Sequence, residues 1–200
     1  HPKLIEVTKR FTRGLLILCE GQALDKAFES RTSVDMNDYL NMIYKKTAKL
    51  IEVSCEIGAI LGNGSQKEIE ALMKFSKELG MAFQIQDDLL DLISEETVFG
   101  KPQCSDIIEK KKTFLTIHFE QTADQESLQT YNKLQNQDSL SHVDIQKICS
   151  LLKNTGTIDA ARKKINEGID AALQHLVLLQ ESMALNVLEL LAVKIRDRIK

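Results

Sequence analysis

The chain has 200 residues, 43% of them hydrophobic and 28% charged, which is ample for one core and suits a single domain over 1–200. A formal net charge of −3 excludes a general attraction to nucleic acid or to an anionic membrane surface. No apolar stretch approaches the ~20 residues of a spanning helix, and no basic segment precedes a signal-like run. With two prolines, nine glycines, 5% aromatic residues and no Trp, long helices are permitted almost everywhere and a sheet protein is disfavoured, so the fold class is all-α.

The first helical pattern runs over 3–29. Periodicity is already established from Leu4 to Leu24, and the chain opens at His1, as a fragment or trimmed chain would. The second pattern covers 35–62. Apolar positions 39, 40, 43, 47, 50, 51 and 54 form a core stripe, with Lys45, Lys46 and Lys49 clustered beside it. Lysines in that position ordinarily carry their heads to water. Gly62-Asn63-Gly64-Ser65 breaks the chain, and Ser65 with Glu68 has the spacing of a capping box for a third helix over 66–96.

That third helix carries Gly80-Met81-Ala82-Phe83-Gln84-Ile85-Gln86-Asp87-Asp88-Leu89-Leu90-Asp91. On a helical wheel Gln84, Asp87, Asp88 and Asp91 fall within an arc of roughly 100°, and most of the remaining circumference is apolar. A helix apolar nearly all round is buried, so the acidic stripe is expected to line an internal cavity. Carboxylates one and four residues apart raise one another's pKa unless a cation compensates them. Hard oxygen donors of this kind suit Mg²⁺, which keeps waters and completes its shell with substrate phosphate oxygens. The motif therefore points to a metal-bound phosphate or diphosphate.

The least regular stretch, Glu95 to Asp106, contains Gly100-Lys101-Pro102 and follows the acidic helix directly. Lys110, Lys111 and Lys112 then open a helix expected over 106–121. Cations at a helix N-terminus oppose the macrodipole, so they are better explained by an anion they serve. Further helices are expected over 124–136, 143–154, 157–180 and 182–199. Cys19, Cys55, Cys104 and Cys149 lie far apart, with no C-x-x-C and no His at ligand spacing. They read as unpaired thiols of a reducing compartment, with neither zinc nor disulfides expected, in a soluble cytoplasmic protein.

In order, G-Q-A-L-D (21–25), Y-L-N-M-I-Y-K-K-T-A-K-L (39–50), G-M-A-F-Q-I-Q-D-D-L-L-D (80–91), G-K-P-Q-C-S-D (100–106) and E-K-K-K-T (109–113) resemble the downstream half of a trans-prenyl diphosphate synthase. The resemblance is strongest to the short-chain enzymes making geranylgeranyl or farnesyl diphosphate, and weakest over 122–150. It implies an isoprenoid-synthase helical bundle around a central cavity. The implied reaction is head-to-tail condensation of isopentenyl diphosphate with an allylic diphosphate, with geranylgeranyl diphosphate as the expected product.

By that resemblance Asp87, Asp88 and Asp91 are the second aspartate-rich motif and hold Mg²⁺ on the allylic diphosphate. Lys46, Lys101 and Lys111 match the lysines that contact diphosphate, Gln84 stands beside the reacting centre, and Thr47 lies against the allylic chain. The resemblance also implies a homodimer built on long helices, for which the apolar faces of 3–24 and 35–62 are candidates. Two departures stand out. The first aspartate-rich motif is absent from the chain, which leaves a non-catalytic accessory subunit as the alternative. Lys110 occupies a position where the family usually has Gly, so both Lys111 and Lys112 are candidates for the phosphate.

Overall fold

The computed structural model describes residues 1–94 and 104–198. Among them there are helices and no strands. Helix α1 (Leu4–Phe28) leads through a short connection to α2 (Met36–Ile43), a π-helical turn (Tyr44–Ala48) and α3 (Lys49–Leu61). The long α4 (Gln66–Ile93) is followed by the short α5 (Ser105–Ile108), then α6 (Phe114–Thr122), α7 (Gln125–Gln135), α8 (His142–Asn154), α9 (Thr157–Leu176) and α10 (Met183–Asp197).

Local chemistry explains most of these boundaries. Asp35 accepts from the Asp38 amide to start α2, and Asp124 does the same with Ser127 for α7. Ser65 and Glu68 form the expected capping box of α4, and Ser141 with Asp144 builds a second one on α8. Each such cap satisfies amides that the first helical turn leaves without partners, and contributes about 1 kcal/mol.

The core is built around α4. This helix packs along α9 on one side and against α3 and the π-turn on another. Phe75, Leu79, Ile85 and Leu89 of α4 share one buried cluster with Ile117 and Phe119 of α6, Ile148 and Leu152 of α8, and Ile165 and Ile169 of α9. Each such side chain contributes about 1.5–3 kcal/mol on full burial. Where α9 crosses α4 there is no room to spare: a Cβ on Gly168 would stand 3.1 Å from Cβ of Ala82. Buried Gln86 donates from Nε2 to the carbonyl of Ile195 and so ties α4 to α10, while its Oε1 has no partner among the described residues.

Three expectations are corrected. The helix expected over 35–62 is interrupted by the π-turn, which inserts an extra residue into the winding at Tyr44–Ala48. The helix expected over 106–121 is two helices, because Thr113 caps α6 and Lys110 adopts a left-handed conformation (φ 54°) between them. The thiols of Cys104 and Cys149 are paired, with Cα atoms 7.1 Å apart, because the fold brings the start of α5 against α8 across 45 residues of sequence. Cys19 and Cys55 are free. The pattern expected over 157–180 ends as a helix at Leu176. The last expected residues of the third helix, Glu95 and Glu96, lie outside the described residues, as does Lys101.

Candidate active site

Two close approaches set the position of Lys46 and Thr47. A Cβ on Gly21 would lie 2.3 Å from the backbone nitrogen of Lys46, so α1 rests directly on the π-turn. A Cβ on Gly80 would lie 2.7 Å from Cα of Ala48, so α4 presses on the same turn from the other side. Glycine is required at both crossings because any side chain would separate the backbones. The clamped turn presents Lys46 to Asp25 at the end of α1, Nζ to Oδ2 2.5 Å. Thr47 faces α4 instead and donates from Oγ1 to Oε1 of Gln84 at 2.7 Å.

Gln84 passes the connection on along its own helix, donating from Nε2 to Oδ1 of Asp88 at 3.0 Å. The other oxygen of Asp88 accepts from the Tyr39 hydroxyl at 2.6 Å and from the Phe114 amide at 3.3 Å. Tyr39 and Asp88 are both buried, 1% and 6% exposed. Burial pushes the Asp88 carboxyl up to about 7, against the three donors, which pull it down. Burial and the neighbouring Asp88 together hold the Tyr39 phenol well above its ordinary range.

The three aspartates of the acidic stripe therefore have different surroundings. Asp87 is exposed and has no hydrogen bond or ion pair among the described residues. Asp91 accepts from the Ser105 amide at 3.1 Å, from the Ser105 hydroxyl and from the Asp106 amide at 3.0 Å, so it caps α5. Asp106, at the start of that helix, pairs with Lys111 at 2.9 Å. Burial raises the Asp106 carboxyl, Lys111 opposes this, and the charge of Asp91 adds to the rise. Lys111 is held above its ordinary value: burial alone would lower it, but Glu109 (2.8 Å) and Asp106 outweigh burial.

The structure thus joins Thr47, Gln84 and Asp88 in one line of contacts, turns Lys46 to Asp25, and places Asp91 beside Asp106 and Lys111. It also distinguishes the two candidate lysines. Lys111 turns to the acidic cluster, whereas Lys112 turns away to Glu120 on α6 at 3.1 Å. Sequence reasoning passed over Asp25, Asp106 and Tyr39. Each stands at an end of a quoted string, but their importance comes from contacts between elements that no spacing within one helix reveals.

The donor set suits a divalent cation of the hard-oxygen type, with Asp91 of α4 close enough to Asp106 of α5 for its charge to raise the Asp106 carboxyl. No group of three such residues among those described closes around one point.

The fold and the site together define an all-helical bundle whose inner helix carries carboxylates, with lysines supplied by adjoining turns. A family model described as "Polyprenyl synthetase" matches residues 1–152. The short chain isoprenyl diphosphate synthase of Methanocaldococcus jannaschii is 39% identical over 153 residues, covering 76% of this chain and 46% of that protein. The crystal structure of geranylgeranyl pyrophosphate synthetase from Pyrococcus horikoshii Ot3 superposes with a TM-score of 0.89 at 38% identity, covering 98% of this chain and 60% of the other. Geranylgeranyl pyrophosphate synthase from Corynebacterium glutamicum, complexed with isoprenyl diphosphate and magnesium, gives a TM-score of 0.90 at 26% identity over 98% of this chain and 56% of the other. The chain belongs to the polyprenyl synthetase family. It spans about half the length of the curated relative it matches.

Proposed function

We propose that this chain provides the second metal-binding and diphosphate-binding face of a short-chain prenyl diphosphate synthase, which condenses isopentenyl diphosphate with an allylic diphosphate. The observation that carries this reading is the convergence of Asp91, Asp106 and Lys111 beside exposed Asp87. Geranylgeranyl diphosphate is the product proposed here; relatives named for it stand beside others named for geranylfarnesyl diphosphate. The retained carboxylates argue against an accessory role, since a partner that only binds has no use for a costly acidic cluster.

The residues divide the work. Asp87 and Asp91, with Asp106, would hold the cation, and Asp88, buried beneath them among Tyr39, Gln84 and Phe114, would anchor the site. When bound, Mg²⁺ neutralises charge that develops on the departing diphosphate. Lys46 and Lys111 would supply ammonium groups to the diphosphate, as Lys101 would by resemblance. Preorganised charge of this kind stabilises the transition state without reorganisation. The allylic C–O bond breaks with its electron pair leaving on diphosphate. The isopentenyl double bond attacks the allylic carbon, and a proton is lost to the released diphosphate. Thr47 and Gln84, locked together, would offer oxygen dipoles to the allylic carbocation.

Calorimetric titration with geranyl diphosphate tests this directly. Binding is expected to require Mg²⁺ and to weaken at least tenfold in Asp87→Ala while the thermal melt stays in place. Equal binding in EDTA, or an unchanged Asp87→Ala, overturns the assignment. Lys46→Ala is expected to weaken diphosphate binding by about tenfold, the loss of one charge-assisted contact; unaltered affinity would return Lys46 to the role of a partner for Asp25 alone.

A further inference from the structure

Helix α5 is the least self-sufficient part of the candidate site. It has four residues, Ser105–Ile108, and a helix of one turn does not hold itself in water. Asp106 is nevertheless kept beside Asp91. Donors from Ser105 and Asp106 bind the Asp91 carboxylate, and the amide of Cys104 donates to the Asp91 carbonyl at 2.9 Å. These contacts all run to α4. On the other side a covalent link from Cys104 to Cys149 ties the same turn to α8.

The two ends of that link differ. Cys149 belongs to the core cluster, with Ile148 and Leu152 buried beside it, so α8 is the fixed end. Cys104 stands at φ 62°, a left-handed conformation that residues with a Cβ seldom adopt. Glycine would take it freely. A non-glycine residue held in such a conformation gathers at sites and switches, where the surrounding structure sustains it. What Cys104 contributes there beyond glycine is its sulfur.

We propose that the Cys104–Cys149 bond is a reversible thiol–disulfide switch on the α4–α5 carboxylate face. Joined to α8, α5 keeps Asp106 and its partner Lys111 in place against Asp91. Released, it is held by noncovalent contacts only, and the face is less preorganised for a cation and a diphosphate. The exchange balances with a small dithiol as reductant. One thiolate attacks Sγ of Cys149, which is 7% exposed against 2% for Cys104. The sulfur–sulfur bond breaks with its electron pair going to Sγ of Cys104, which takes a proton. The second thiol of the reductant then displaces Cys149, which also leaves as a thiol, and the dithiol becomes a cyclic disulfide. A cyclic disulfide runs the same steps in reverse. The effect on diphosphate binding rests on the function proposed above; the hold of the bond on α5 does not.

The test compares the chain treated with oxidised dithiothreitol and with reduced dithiothreitol. Alkylation after denaturation should label two cysteines in the oxidised chain, Cys19 and Cys55, and all four in the reduced one. In EDTA, reduction should move the ¹H–¹⁵N signals of Ser105, Asp106 and Lys111 and speed amide exchange at Ser105 and Asp106. With Mg²⁺ present, affinity for geranyl diphosphate should fall about fivefold on reduction, through lost preorganisation with every ligand group retained, and return on reoxidation. Cys19→Ala combined with Cys55→Ala should keep this response. Cys149→Ala should bind as the reduced chain does under both treatments; the unsubstituted chain is read in both states, so a folding defect in that variant does not decide the outcome. Four labelled thiols after oxidation, α5 signals that ignore reduction, or equal affinity in the two states overturns the switch. Absence of Mg²⁺-dependent binding in both states overturns the diphosphate reading and with it the effect on affinity, while the redox response of α5 in EDTA stands as a separate result.

Discussion

Asp87 and Asp88 are adjacent in sequence and opposite in circumstance. The motif D-D-x-x-D presents three equivalent acids, and the helical wheel puts them on one arc, but it cannot say what stands across from each. Tyr39 and Phe114, which separate Asp88 from its neighbours in role, come from 49 residues upstream and 26 downstream. Phenylalanine in place of Tyr39 should cost about 1–3 kcal/mol in urea unfolding, since it removes a donor from a buried carboxylate. The raised Asp88 carboxyl has a sign that can be checked in the metal-free chain. Its folded value, about 7, lies above the ordinary 3.8, so the fold binds that proton more tightly than the unfolded chain does. Its stabilising contribution is complete below the ordinary value and is lost as pH rises through the folded one. Asp88→Asn should therefore flatten the fall in unfolding midpoint between pH 5 and pH 8, and an identical slope in the variant would contradict the assignment.

At the scale of elements, capping residues and apolar stripes carried the prediction far. The Ser65–Glu68 box, the long acidic helix and the order of the closing helices are all legible from spacing, because those signals act within one or two turns. The breaks that shape the site were hidden for the complementary reason. Nothing local in Tyr44–Ala48 announces a wider turn, which is sustained by Gly21 and Gly80 letting two other helices close on it. The run Lys110-Lys111-Lys112 has no periodicity to interrupt, so the end of α5 passed unnoticed. Gly21→Ala tests the clamp. The added methyl has no space beside the Lys46 nitrogen, and overpacking of this kind costs typically 1–3 kcal/mol. Thermal unfolding should show that loss together with weaker diphosphate binding, because Lys46 moves with its turn.

Across the whole molecule, α1 and α10 are the two described helices that expose a series of large apolar side chains. Leu4, Ile5, Phe11, Leu15 and Leu16 of α1 are exposed, Ile5 by 72%. An apolar stripe of that length suits a contact, and the resemblance to the family makes the apolar faces of 3–24 and 35–62 the candidates for pairing of subunits. Leu16→Arg should shift sedimentation toward the monomer if that contact is made by a second copy, and an unaltered distribution would remove α1 from the interface. The π-turn gives this geometry a consequence for how the gene can change. One extra residue in the winding sets the phase between the faces of α2 and α3, and each residue is worth about 100° of rotation. A single-codon deletion within Tyr44–Ala48 would leave a helix of better regularity and a worse protein, with Tyr39 rotated off Asp88. Length in this segment is consequently under tighter constraint than residue identity, so tolerated variation there should consist of substitutions and not of insertions or deletions.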